Sequence, residues 1–164
     1  MTPRDTSIQP GAVETTPLLA RSVWSGVLVG LGTAAFIDET VFHQLLHWHH
    51  FYDKSTTSVG LVSDGLFHAF GFFAVVIGLV MVADLVRRAG LSKYGVAAGI
   101  FLGLGGFQLY DGTVQHKLMR LHQIRYEVDI APYDWTWNVI AVLLLVVGVL
   151  LLRVAKSRRT TATR

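Results

Sequence analysis

Four apolar segments, each long enough to cross a lipid bilayer, constrain the fold of this chain more than any other feature. A spanning helix needs ~20 mostly apolar residues, because ~30 Å of hydrocarbon is crossed at ~1.5 Å per residue. The four segments are residues 22–46, 60–86, 94–119 and 135–154. Because a spanning segment must satisfy its own backbone hydrogen bonds, the sequence predicts an all-α integral membrane four-helix bundle.

The two ends of the chain differ from its apolar middle. Residues 1–20 hold three of the four prolines and four threonines, which predicts a disordered cytoplasmic tail. Residues 21–156 form the predicted transmembrane domain, and residues 157–164 form a basic cytoplasmic tail. The net charge is only +3 and its excess lies at the C-terminus, so we expect no nucleic-acid partner.

Part of the first segment recurs 73 positions later in the third. Residues 23–49 and 96–122 are identical at eleven of 27 positions, and both copies read Gly-x3-Gly-x-Gly and then Asp-x4-His-x5-His. The second and fourth segments align less clearly at a shift of 70. The sequence therefore predicts two tandem, parallel two-helix hairpins, about residues 22–88 and 94–156, related by an axis along the membrane normal. The spaced glycines predict close contact between the first and third helices.

The basic residues set the predicted orientation. They lie before the first segment, between the second and third, and after the fourth. The positive-inside rule then places both termini in the cytoplasm and residues 48–59 and 121–134 outside.

All seven histidines converge at the outer end of the predicted helices, where several aspartates also lie. Ionisable groups at membrane depth tend to face the interior of a bundle and to mark function. The candidate metal ligands are His43, His47, His49, His50, Asp64, His68, His116, His122, Asp38 and Asp111.

Regular helical spacing groups some of these candidates. His43, His47 and His50 are spaced i, i+4, i+7 and form one stripe, and Asp64 and His68 share a face. We expect His49 and His122 at or beyond the helix ends.

The pairs Asp38/His43 and Asp111/His116 do not fit a regular helix. Five residues rotate the chain by roughly 140°, so the members of each pair should face apart. Either these aspartates make a different contact, or the helix is distorted there.

Imidazole and carboxylate groups without cysteine favour a transition metal such as Cu, Zn or Fe. The aspartates could also fix the histidine tautomers from the second shell. Because the first hairpin holds more histidines, we expect one site that is completed by His116. A shared ion would bring ligand nitrogens of His43 and His116 to within about 4 Å of each other.

Three motifs resemble the bacterial membrane proteins called domain of unknown function 2243. They are Asp38-x4-His43-Gln44-Leu45-Leu46-x-Trp48-His49-His50, Asp64-Gly65-Leu66-Phe67-His68 and Asp111-Gly112-x3-His116-x5-His122. The resemblance covers about residues 22–152, and this chain has Asp38-Glu39 where the family commonly has Asp-Gly. It implies a multi-pass protein of the bacterial cytoplasmic (inner) membrane, and it implies little about activity.

Three functions are compatible with these features. The first is a His/Asp metal site near the outer face, for metal handling, for assembly of respiratory enzymes or for metal-dependent oxidation and reduction. The second is a b-type haem protein in which His43 and His116 are axial ligands. The third is a proton or ion pathway through Asp38 and Asp111. Beyond the lipid bilayer, partners would be a respiratory complex or a second copy of the chain. Enzymatic activity is undecided.

Overall fold

The structure is a computed structural model that describes residues 15–162. The described residues form four α-helices, two of which continue as π-helices, and they contain no strand. The elements are α1 (Thr15–Asp38), π1 (Glu39–Leu45), α2 (Thr57–Arg87), α3 (Lys93–Tyr110), π2 (Asp111–Met119) and α4 (Ala131–Ala162). The all-α prediction is confirmed.

The helix ends differ from the predicted boundaries. α1 begins at Thr15, inside the segment assigned to the N-terminal tail, and α4 continues to Ala162, inside the predicted C-terminal tail. Residues 1–14 and 163–164 lie outside the described residues, so most of the predicted N-terminal tail remains a prediction.

The helices are arranged around a central pair. α1 and α3 make the most extensive helix contact in the described part of the chain, α2 packs on α1, and α4 packs on α3. The two outer helices therefore flank the central pair, and grooves are left beside it.

Glycines allow the backbones of α1 and α3 to touch. A Cβ added to Gly30 would lie 2.0 Å from the carbonyl oxygen of Ile100, and one added to Gly99 would lie 2.0 Å from that of Val23. No side chain fits such a gap, which confirms the predicted close contact of these helices.

Three helical segments are long and apolar enough to cross a membrane: Pro17–Leu45, Thr57–Arg87 and Ala131–Thr160. The fourth predicted span, residues 94–119, is not among them. α3 has 18 residues, which cover only ~27 Å at ~1.5 Å per residue. It contains five glycines and gains length only through π2, which carries Asp111 and Lys117. The third helix therefore lacks the apolar character of the other three.

The two ends of the helix assembly differ in chemistry. At one end Arg21 forms an ion pair of 3.0 Å with Asp84, and the Arg158 guanidinium lies 4.5 Å from the centroid of the Tyr94 ring. At the other end lie π1, π2 and the connecting loops. A buried cluster of Ala35, Phe67 and Phe107 packs the interior near that second end.

Candidate metal centre

The two π-helices bring each aspartate and histidine pair together. In a π-helix the i→i+5 hydrogen bonds stack residues that are five apart. Asp38 Oδ2 lies 3.6 Å from His43 Nε2, and Asp111 Oδ2 lies 3.1 Å from His116 Nε2. Of the two alternatives that the spacing leaves open, helix distortion is the one observed. Because π-helical turns are rare and often occur at functional sites, two of them at one end of the protein mark this region.

Both π-helices end in a left-handed turn. His47 has a φ of 51° and Arg120 has a φ of 52°. The turn interrupts the helix before His47, whose side chain is exposed. The predicted stripe of His43, His47 and His50 is therefore wrong, because it assumed that a regular helix continues. The reversed chain instead folds His49 and His122 back into the interior.

Four histidine rings pack together in this interior. The rings of His49 and His122 are stacked with centroids 4.5 Å apart and planes within 5°. His43 lies 4.4 Å from His49, and His116 lies 4.6 Å from His122, both edge to face. All four side chains are buried, and the most exposed, His49, is only 6% accessible.

Two backbone carbonyl groups fix the tautomers of the stacked pair. His49 Nδ1 donates to the oxygen of Ile124 at 2.9 Å, and His122 Nδ1 donates to the oxygen of Phe51 at 2.9 Å. Because a carbonyl oxygen can only accept, Nδ1 carries the proton in both rings. Each Nε2 then presents a lone pair, as a metal ligand must.

Asp64 connects the neighbouring groups. Its Oδ1 lies 3.1 Å from His43 Nδ1 and accepts the backbone N–H of Phe51 at 2.7 Å, and its Oδ2 lies 2.6 Å from His50 Nδ1. The carboxylate is 1% exposed. It therefore orients His43 in the same way that the carbonyl groups orient the stacked pair, and it leaves His43 Nε2 free.

Six buried atoms of the four histidines and Asp111 have no hydrogen-bond partner. They are the Nε2 atoms of His43, His49, His116 and His122, Nδ1 of His116, and Oδ2 of Asp111. Asp111 Oδ2 is close to His116 Nε2 but not aligned for a hydrogen bond. Each unsatisfied buried polar atom costs about 1–3 kcal/mol, so a purely structural role would leave a large penalty in one place.

Potential ligand atoms fall into groups whose members lie within 4.8 Å of one another. One group is His43, His49 and His122, and a second is Asp111, His116 and His122. His43 and His116 thus belong to different groups that share His122. The stacked pair, rather than His43 and His116, occupies the centre.

A third group contains a residue that the sequence analysis did not select. Glu39 is fully buried, and its Oε2 lies 2.8 Å from His43 Nδ1, with Asp64 completing the group. The sequence signal for Glu39 is that its carboxylate lies in an apolar run, four residues before the candidate ligand His43.

Four predicted ligands lie outside these groups: Asp38, His47, His50 and His68. Asp38 is buried and stays 3.6 Å from His43 Nε2. His68 packs against the ring of Phe36 with centroids 4.5 Å apart, and His47 is exposed. His50 is partly exposed and touches the cluster through Asp64. Although α2 is regular, only Asp64 of the Asp64/His68 pair faces the histidines.

The electrostatic surroundings of His49 favour its neutral form. Burial, followed by the nearby imidazoles of His122, His43 and His116, lowers the pKa of His49 from its usual 6.5 to about 2. Metals bind the neutral form of imidazole, so a proton does not compete for His49 at neutral pH.

Comparison with known families gives one match. The model of a family described as "Predicted membrane protein (DUF2243)" matches residues 25–155, which include every residue of the histidine cluster. Neither the curated proteins nor the solved structures gave a match.

Proposed function

We propose that this chain, which belongs to the DUF2243 family of predicted membrane proteins, binds a transition-metal ion through His43, His49 and His122. The observation that carries the proposal is that the three residues each place a possible ligand nitrogen within 4.8 Å of the others, and that all three have a buried Nε2 without a hydrogen-bond partner. Three imidazoles with nearby carboxylates and no sulfur suit Cu, Zn or Fe.

The shared ligand supports one ion per chain. His122 belongs to both histidine groups, and its Nδ1 is committed to the carbonyl oxygen of Phe51. Its single free nitrogen, Nε2, therefore serves one ion at a time. His116 and Asp111 lie beside it and would complete or exchange the coordination.

We also propose that the two halves are tandem repeats around this site. The bond from His49 to Ile124 and the bond from His122 to Phe51 are counterparts, because both residues shift by 73 positions. The contacts of Gly30 and Gly99 with the opposite helix have counterparts at the same shift. Such reciprocal contacts are expected of two copies that pack around a two-fold axis.

A cavity among the connecting loops gives access to the proposed metal centre and supports exchange of the ion from that end of the protein. The cavity has a volume of about 410 Å³ and is lined by His47, Trp48, His49, His50, Asp53 and Tyr126. His49 thus touches both the cavity and the buried group. With the orientation that the basic residues predict, ions would arrive from outside the cytoplasmic membrane.

The packing favours a metal ion over a b-type haem. Axial histidines must lie on opposite faces of a flat macrocycle. The rings of His49 and His122 stack in parallel at 4.5 Å and occupy the space between His43 and His116. We therefore expect purified protein to lack haem absorption bands.

Elemental analysis of protein purified without added metal tests the proposal. We expect about one transition-metal ion per chain, and we expect His49→Gln and His122→Gln to lose most of it. His47→Gln is the matched control, because His47 lies only two residues before His49 but its side chain is exposed. If the wild-type protein carries no metal, or if His47→Gln loses as much metal as the His49 and His122 variants, the proposal is wrong.

A further inference from the structure

A large apolar cavity lies beside the histidine cluster, in the groove between α2 and α3. Its volume is about 490 Å³, within the ~300–1,000 Å³ range of small-molecule sites. Its walls include Leu31, Phe67, Gly106, Phe107 and Gln115.

The cavity opens on the apolar surface of the protein. Three residues of its lining, Leu66, Phe70 and Tyr110, are 70%, 52% and 49% exposed. Leu66 lies nine residues into α2, ~14 Å from the start of that helix, which is membrane depth. A ligand would therefore enter from the bilayer rather than from water.

The equivalent groove on the other side is mostly filled. The cavity between α1 and α4 has a volume of about 160 Å³ and is lined by Phe42 and Trp137 among others. Phe42 stands where the larger cavity has Gln115, at a shift of 73, and Trp137 stands where it has Phe67, at a shift of 70. At these two positions the larger cavity thus has the smaller side chain, and one of the two, Gln115, is polar.

Gln115 gives this apolar cavity one specific polar group. Its side chain is 3% exposed, and its Oε1 has no hydrogen-bond partner. Two other wall residues carry a hydroxyl group. That of Ser63 donates to Gly60 and accepts from the backbone of Tyr52, and Tyr110 is half-exposed. A ligand that donates a hydrogen bond to Gln115 would satisfy the buried acceptor.

The aromatic walls indicate the shape of the ligand. Phe67 stacks between Phe51 and Phe107, with centroids at 4.7 and 5.8 Å and planes within 25° and 20°. The three rings thus form one continuous stack within the cavity wall. A flat aromatic ring can pack against the edges and the outer faces of such a stack. We infer that the cavity binds a membrane-soluble quinol, whose ring packs on these walls and whose hydroxyl donates to Gln115 Oε1.

The cavity and the metal centre share structural elements. Phe51 lines the cavity, and its carbonyl oxygen holds His122 Nδ1. Phe67 lines it too, and its ring lies 6.1 Å from that of His43. A quinol would thus sit one layer of side chains from the proposed ligands. Binding of a quinol in the cavity does not depend on the metal, whereas any role of the quinol beside the metal centre rests on the proposed function.

Binding of decylubiquinol and decylubiquinone to the full chain in lipid nanodiscs tests the inference. Gly106→Leu fills the cavity, because a Cβ at Gly106 meets no atom within 4 Å and the helix can therefore accept a side chain. Gly65→Leu is the matched control, since a Cβ at Gly65 also meets nothing and Gly65 does not line the cavity. Gln115→Leu removes the acceptor.

We expect saturable binding that Gly106→Leu abolishes and Gly65→Leu preserves. Gln115→Leu should weaken quinol binding roughly 2- to 10-fold, the effect of one hydrogen bond, and leave quinone binding unchanged. Unchanged binding in Gly106→Leu would overturn the inference. If quinol and quinone bind with equal affinity and Gln115→Leu changes neither affinity, the inference is wrong and the cavity is assigned to lipid acyl chains. Metal content measured on the same variants distinguishes failure here from failure of the metal site.

Discussion

At the scale of single residues, the cluster is organised by groups that orient histidines rather than by histidines alone. Asp64 holds His43 through Nδ1, and two backbone carbonyl oxygens hold His49 and His122 in the same way. The sequence could identify Asp64 as a second-shell candidate, because it lies in an apolar helix. It could not identify the carbonyl groups, since any residue supplies one and only the fold brings Ile124 to His49.

The first prediction concerns Asp64. Asn in its place keeps the volume but removes the carboxylate that orients His43 through Nδ1. We expect Asp64→Asn to weaken metal affinity by ~10–100-fold, as loss of such a partner typically does. A competition titration with a chelator measures this.

Asp134→Asn is the control for that titration. Asp134 aligns with Asp64 at a shift of 70 but pairs with Lys117 and belongs to none of the ligand groups found among the described residues. Its variant should bind metal as the wild type does. Equal affinity of the Asp64 and Asp134 variants would mean that Asp64 has no part in the site.

At the scale of secondary-structure elements, the π-helices decide which residues meet. The spacing of five between Asp38 and His43 showed that a regular helix would separate them, but it did not show that the helix changes type. No residue preference in a single sequence predicts a π-helix, because it depends on tertiary packing. For the same reason the sequence wrongly placed His47 on a helical face with His43 and His50, whereas in the structure His47 is exposed. His49 lies beyond the helix end, as expected, and is buried.

The second prediction concerns the contact between α1 and α3. Gly30→Ala would put a methyl group 2.0 Å from the Ile100 carbonyl oxygen, so the helices must separate. Overpacking of this kind costs about 1–3 kcal/mol or more, and we expect a clear fall in Tm. Gly106→Ala on α3 meets no atom and should keep or raise Tm, since Ala favours a helix by about 0.5–1 kcal/mol. Equal Tm values for the two variants would contradict the contact.

At the scale of the whole molecule, the sequence predicted four helices and their apolar character, because length and hydropathy are local properties. It overestimated the apolar character of the third helix, in which three of the five glycines serve contact with α1 and a fourth, Gly105, serves contact with α4. The spaced glycines predicted that α1 and α3 are in close contact, but the sequence did not predict that α2 packs on α1 and α4 packs on α3.

The third prediction concerns topology. If α3 and π2 cross the membrane with the other three helices, both termini lie on the same side. We expect a reporter after Arg164 to be cytoplasmic and one inserted near Thr56 to be external. A cytoplasmic N-terminus combined with an external C-terminus would mean three crossings, and the third helix would then lie within one leaflet.

X-ray absorption spectroscopy of the metal-loaded protein tests the central claim most directly, because it counts the atoms around the ion. The proposed site gives at least three imidazole nitrogens at ~2.0–2.1 Å, with the outer-shell scattering typical of histidine rings, and no sulfur. His122→Gln should lower the imidazole count, while His47→Gln should leave the spectrum unchanged. A first shell of oxygen atoms alone, or one that does not respond to His122→Gln, would contradict the claim that these histidines hold the metal.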